Sequence, residues 1–242
     1  MFKNFAAACI TLLLCSFAPL QEKVDKIKLT LISKSLHKGQ SFTVKSDLYY
    51  RVSGGTMVTR FTSPFEKIVF TNANGEYKDY NVKQNTVTLM QGFDLSSKNS
   101  LFYSFFSGSI NDMGLAALGY KLVSTRFENK IVITTWMPVG PSKIIKKAEI
   151  AHENYLPIFL GFFDANNKPV QKSYYTNYQT VGSIKMPFTI TEFDYFGEKD
   201  SLITRRTYTN LVLNAAVEDT YLNYKIPASA KVISPSTDKP KK

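Results

Sequence analysis

From Val24 onward stretches in which apolar and polar residues alternate recur along the chain, the period of a strand with one dry face. In SFTVKSDLYY, Phe42, Val44, Leu48 and Tyr50 share one face, while Ser41, Thr43, Lys45 and Asp47 share the other. Ile27, Leu29 and Leu31 repeat the pattern upstream, with His37-Lys38-Gly39-Gln40 as the intervening turn. Ser53-Gly54-Gly55 turns into TMVTRF, and Asn72-Ala73-Asn74-Gly75 joins KIVFT to EYKDYN, its Asn-Gly pair suited to the positive backbone angles of a tight hairpin. TVTLM, YKLVSTRF and KIVITTW come next, the last two joined at Glu128-Asn129. Beyond Pro141 come KIIKKAEI, LPIFLGFF, PVQKSYYTNY, IKMPFTITEFDYF and SLITRRTYTNLVLN, with turns at 164–167 and 197–200. About a dozen strands in hairpin succession predict a mainly β chain, an antiparallel meander curled into a barrel or sandwich.

One interval departs from the period of two. In SSKNSLFYSFFSGSINDMGLAALG (Ser96–Gly119), Leu101, Phe102, Phe105 and Phe106 fall at helical spacing, with Ser97 as a candidate N-cap and Gly108 as the stop. A second short helix is expected over Ile110–Leu118. Such helices either plug one end of a sandwich or form a lid with an apolar underside. No long linker and no repeat beyond the hairpins suggests a second domain, so residues 19–235 read as a single domain, followed by a disordered basic tail at 236–242.

Composition adds a surplus of rings. Of 242 residues, 18 are Phe, 14 Tyr and 1 Trp, against 12 Gly, and large aromatics favour half-buried pleated surfaces. The first residues, MFKNFAAACITLLLCSFAPLQEK, have the basic, apolar and small-residue order of a secretory signal peptide, with Ser16-Phe17-Ala18 as the cleavage site of a leader at 1–18. Both cysteines, Cys9 and Cys15, lie in it, so the exported domain has no disulfide. Acylation at Cys15 is the alternative, in which the chain is lipid-anchored, but Leu14 is larger than that processing favours. The net charge of +11 fits either a solubilising surface or attraction to an anionic membrane. Nucleic acid is a poor partner, because the Lys and Arg are spread along an exported chain.

Candidate chemistry is sparse. The two histidines are His37, in a turn, and His152, beside Glu153 at a strand end where neighbours point to opposite faces. No Gly-x-Ser-x-Gly elbow, no phosphate-binding glycine loop and no cluster with metal-ligand spacing occurs. Glu192 and Asp194 share a strand face and read as a solvated acidic pair. The expectation is a non-enzymatic protein with no catalytic residues, cofactor or metal.

The segment DLYYRVSGGTMVTRFTSPFEKIVFTNANGEYKDYN resembles the LolA-like outer-membrane lipoprotein carrier family. That resemblance lies in Asp47-Leu48, Arg51, Pro64, Ile68-Val69, Gly75 and Tyr80, in that order. DTYLNYKIPASAKVI (Asp219–Ile233) is similar to the family's closing strand through Tyr221, Leu222, Tyr224, Pro227 and Val232, and LGYKLV falls where the family ends its helices. The family's opening amphipathic helix has no convincing counterpart in Gln21–Lys28.

The resemblance implies a half-open antiparallel β-barrel with short helices as a lid over a hydrophobic cavity. Such proteins are periplasmic carriers in Gram-negative bacteria, taking acylated lipoproteins or lipids from an inner-membrane exporter to an outer-membrane acceptor; a monomer is expected. The candidate cavity wall is Leu48, Tyr50, Phe61, Ile68 and Phe70, and the candidate lid is Leu101, Phe102, Phe105, Phe106 and Met113. Arg51, or Val52 after a one-residue slip, corresponds to a family arginine and is the candidate release switch. Two alternatives stay open: a carrier dedicated to another lipid-linked product, such as a glycolipid or pigment ester, and a structural or adhesive β-sandwich with a filled core.

Overall fold

The computed structural model describes residues 23–140, 144–197 and 200–234; the expected leader with Cys9, Cys15 and its cleavage site, and the tail at 236–242, lie outside the described residues. Strands make up 59% and helices 9%, so the fold is mainly β. The first half of the chain supplies β1 (Lys26–His37), β2 (Gln40–Arg51), β3 (Thr56–Ser63), β4 (Lys67–Thr71), β5 (Glu76–Asn81) and β6 (Thr86–Gln91). The second half supplies β7 (Tyr120–Glu128), β8 (Ile131–Pro138), β9 (Lys147–Glu153), β10 (Leu156–Phe163), β11 (Pro169–Val181), β12 (Ile184–Tyr195), β13 (Ser201–Leu213) and the short β14 (Lys231–Ile233). Together they form one curved, open sheet in the order β14-β6-β5-β4-β3-β2-β1-β13-β12-β11-β10-β9-β8-β7.

Two meanders are therefore sutured where β1 meets β13, over a register that runs from Ile27 opposite Leu213 to His37 opposite Leu202. Among the described residues all pairings are antiparallel except that of β14 with β6, which is parallel. The expected closing strand shrinks accordingly. Only Lys231–Ile233 is a strand, and 214–230 instead crosses the sheet as one 3-10 turn (Asn214–Ala216) followed by turns and extended chain.

The strand order dictates what happens to the non-strand interval. β6 lies near one edge of the sheet and β7 at the other, so residues 92–119 must span the concave face to connect them. They do so as two 3-10 turns (Phe93–Leu95 and Ser97–Asn99), one helix, α1 (Leu101–Phe106), and a run of turns. The N-cap is Ser100, whose Oγ accepts from the Tyr103 N–H at 3.2 Å, rather than Ser97, whose hydroxyl donates to the Gly55 carbonyl. The second helix expected over Ile110–Leu118 does not form. Met113 and Gly114 both take positive φ, and the Asp112 carboxylate accepts from the N–H groups of Gly114 and Ala116, which fixes turns instead of a helix.

Both faces of the first meander are covered, so β2 is buried on both sides around Leu48, Tyr49 and Tyr50. Leu48 and Tyr50 join Ile27, Leu29, Phe188, Ile190 and Tyr208 in the larger core, beneath Phe102, Phe105 and Leu115. Tyr49 lies on the convex face with Val58, Ile68, Tyr80 and Val87, under Val217 and Leu222 from the C-terminal crossing. That smaller core is built largely of rings: Tyr49 and Tyr221 centroids are 5.0 Å apart, and Tyr221 stacks on Tyr224 at 6.2 Å. One hairpin glycine is required by space as well as by φ. At Gly75 (φ +80°) a Cβ would come within 2.3 Å of the Gly92 carbonyl oxygen, where the lid segment leaves the sheet.

Candidate functional site

The concave face is lined by residues set opposite one another across the strands. Tyr50 faces Ile27, Leu48 faces Leu29, and Leu31 faces Tyr208; on the other side Ile190 faces Tyr175, and Leu160 faces Ile150. α1 rests on this floor through its rings. Phe102 meets Tyr50 at 5.7 Å and Tyr208 edge-on at 5.7 Å, Phe106 meets Tyr50 at 6.2 Å, and Phe105 meets Tyr178 at 6.4 Å. Burial pushes the Tyr50 and Tyr208 hydroxyls up to about 12, so both stay neutral in ordinary conditions.

Further along, the lid stops filling the floor. A cavity of about 360 Å³ opens between Leu101, Met113, Leu115 and Leu118 above and Leu160, Phe162, Tyr175, Ile190 and Tyr208 below. A second hollow of about 730 Å³ lies at the lid's other flank, lined by Phe105, Ile110, Leu156, Ile158, Tyr178 and Ile184. Both fall in the range of about 300–1,000 Å³ usual for small-molecule sites. Between them the lid is tied to the sheet by a polar bond. The buried His152 presents Nε2 to the Ile110 carbonyl at 3.1 Å, and because a carbonyl only accepts, this nitrogen carries the proton. His152 is thus a strut under the lid, facing away from Glu153.

One ion pair belongs to the smaller cavity. The Arg206 guanidinium donates to both oxygens of Glu192, at 2.9 and 3.4 Å. Burial works against the charge on Arg206, but the bonds to Glu192 outweigh it and hold its pKa above the ordinary value. Glu192 and Asp194 therefore do not form the solvated acidic pair read from the sequence: Glu192 holds Arg206, and Asp194 accepts from the Gln171 amide at 2.8 Å.

The five lid candidates all meet on the concave side: Phe102 and Phe105 in the buried core, Leu101, Phe106 and Met113 packed against it. The wall candidates divide. Leu48 and Tyr50 lie under α1, but Ile68 and Phe70 lie in the convex core, Phe70 stacking on Tyr224 at 6.0 Å. Register is the reason: Phe70 is opposite Val58, and Val58 is opposite Tyr49, so this row faces away from Tyr50. Phe61 shares the Leu48 face yet packs with Phe65 at 5.5 Å, below the Lys67 ammonium, and is not part of the core beneath the lid. Arg51 points to the convex side, where it reaches Asn223 at 3.2 Å and Asp219 at 3.5 Å; its guanidinium holds the C-terminal crossing instead of the lid. Val52, the alternative at that junction, does pack against the larger core.

The residues missed by sequence reading are Leu115, Leu118, Leu160, Phe162, Tyr175, Ile190, Glu192, Arg206 and Tyr208, all of which line the smaller cavity. Leu160 and Phe162 carried a signal, since LPIFLGFF is apolar on both faces.

No family model and no curated protein matches the chain. Solved structures do. A DUF1329 family protein from Desulfovibrio piger superposes with a TM-score of 0.58 at 12% identity, over 84% of this chain and 92% of that one. A putative outer-membrane lipoprotein-sorting protein domain from Vibrio parahaemolyticus gives 0.56 at 12% identity, over 84% and 91%. A LolA superfamily protein from Nitrosomonas europaea gives 0.55 at 9% identity, over 83% and 91%. The chain has the LolA-like fold.

Proposed function

We propose that this protein is a periplasmic carrier that shelters the acyl chains of lipoproteins or related lipids beneath the 92–119 segment and moves them toward the outer membrane. The observation that carries this reading is the cavity between the lid and strands β10–β13, apolar over most of its lining and open beside α1. Each acyl methylene withdrawn from water gains about 0.8 kcal/mol, so a chain exposed in an aqueous compartment is driven into such a hollow. Release is served by the same lid. Phe102, Phe105 and Leu115 already bury themselves on the sheet, so a longer cargo must displace some of those contacts, which weakens its net binding. The neighbours that share the fold include a LolA superfamily protein and an outer-membrane lipoprotein-sorting domain, which is consistent with handling acylated cargo between an inner-membrane exporter and an outer-membrane acceptor.

The test is a titration with a fluorescent acyl probe. Saturable binding is expected, and Leu118→Trp, which fills the cavity from a position 46% exposed and so costs the fold little, is expected to weaken it at least about tenfold with circular dichroism unchanged. Absence of saturable binding, or equal binding by Leu118→Trp, overturns the reading.

A further inference from the structure

The concave groove changes character along the strand direction. On β12 the inward positions run Phe188, Ile190, Glu192 and Asp194; on β13, toward the same end, they run Tyr208, Arg206 and Thr204. Ser173 of β11 and Thr204 of β13 both stand opposite Glu192, and Ser35 of β1 meets the Thr204 hydroxyl at 3.1 Å. An apolar floor thus gives way to a polar one inside the same groove, and the cavity under the lid straddles the change, with Ile190 and Leu160 at one part of its lining and Glu192 and Arg206 at another.

From this arrangement we infer that the site selects acyl chains whose polar end is uncharged, an ester, amide or hydroxyl, over chains that end in a free carboxylate. The inference rests on the carrier reading and names the chemical class of its cargo. Its basis is charge. Among the described residues, Arg206 and Glu192 are the charged ones lining the cavity, and the guanidinium is already matched by both Glu192 oxygens. Asp194, two positions along the same face, adds a second carboxylate, so among the described residues at the inward positions of β12 and β13 one cation stands against two anions. A third carboxylate entering there is repelled. A neutral head is served better. A guanidinium has five N–H donors, of which Glu192 takes two, and Glu192 keeps acceptor sites for an incoming N–H or O–H. With side chains 35% and 19% accessible, Arg206 and Glu192 are open to such a head while still fixed by each other.

The experiment displaces a fluorescent acyl probe from the full protein with 1-monolauroylglycerol or with laurate at neutral pH, both below their micellar range. Each is normalised to its own partition into phosphatidylcholine vesicles. The monoglyceride is expected to displace the probe at a concentration at least about tenfold lower than laurate. Glu192→Gln, which removes one anion while keeping the shape, is expected to strengthen laurate and shrink the gap at least about threefold. Equal or stronger displacement by laurate in the unaltered protein overturns the inference and leaves the carrier reading standing, as does a gap unchanged in a folded Glu192→Gln protein. A probe that never binds overturns the carrier reading, and the inference with it.

Discussion

Phe102 shows how much a single side chain contributes here. It is 2% exposed and sits between Tyr50 and Tyr208, so one ring joins the lid to strands from both meanders. Phe102→Ala removes two ring contacts and leaves a void beneath α1. It is expected to lower unfolding free energy by about 3–5 kcal/mol, measured by denaturant titration. A loss below about 1 kcal/mol would mean that this ring does not hold the lid to the sheet. The helical spacing of Leu101, Phe102, Phe105 and Phe106 was sufficient to find these residues in the sequence, because a 3.6-residue period stands out against strands of period two. The wall residues were less legible. Alternation says that Ile68 and Phe70 share a face, but not whether that face is concave, and both lie under Tyr224 and its neighbours. The usable clue was Leu48-Tyr49-Tyr50: three consecutive large apolar residues in one strand require a cover on each side.

At the scale of elements, the lid is held by few bonds. α1 has six residues, too short to be stable alone, and beyond it the chain runs as turns fixed by Asp112, Met113 and Gly114. The sequence suggested a second helix because apolar residues recur through Ile110–Leu118, and periodicity is blind to an aspartate that ties up the next amides. The tie from His152 to Ile110 is then a polar contact that fixes this stretch to the sheet. His152→Phe keeps an apolar ring beneath the lid but removes the donor. It is expected to speed amide hydrogen exchange over residues 108–116 at least about tenfold, with exchange in β1 and β13 unchanged. Uniform acceleration across the chain would show global destabilisation, and unchanged exchange at 108–116 would show that the strut carries no load. A reading of His152 with Glu153 as a catalytic pair has no geometric support, since His152 is turned under the lid and Glu153 is exposed.

For the whole molecule, the open sheet explains why rings are so abundant. A sheet covered separately on each face needs two cores: α1 and its neighbouring turns cover the concave one, which spans both meanders, and residues 214–230 cover the convex one, on the first meander. Counting strands from the sequence came close, because hairpins announce themselves by turns. The suture of β1 to β13, between residues about 180 positions apart, left no local pattern, and the division of apolar residues between two cores depends on it. The same topology obliges the 92–119 segment to cross the concave face, and it makes the hollow a consequence of the strand order: a six-residue helix cannot cover so wide a floor.

That hollow is most directly tested by asking where an acyl chain goes. The full protein would be loaded with a photoreactive acyl monoglyceride, irradiated, digested, and the labelled peptides identified by mass spectrometry. Cargo held beneath the lid should leave labels on Leu101–Leu118 and on β10–β13, at or next to Leu160, Ile190 and Tyr208, and those labels should be lost in Leu118→Trp. Labels confined to the convex face around Tyr221 and Tyr224, or scattered without saturation, would contradict it.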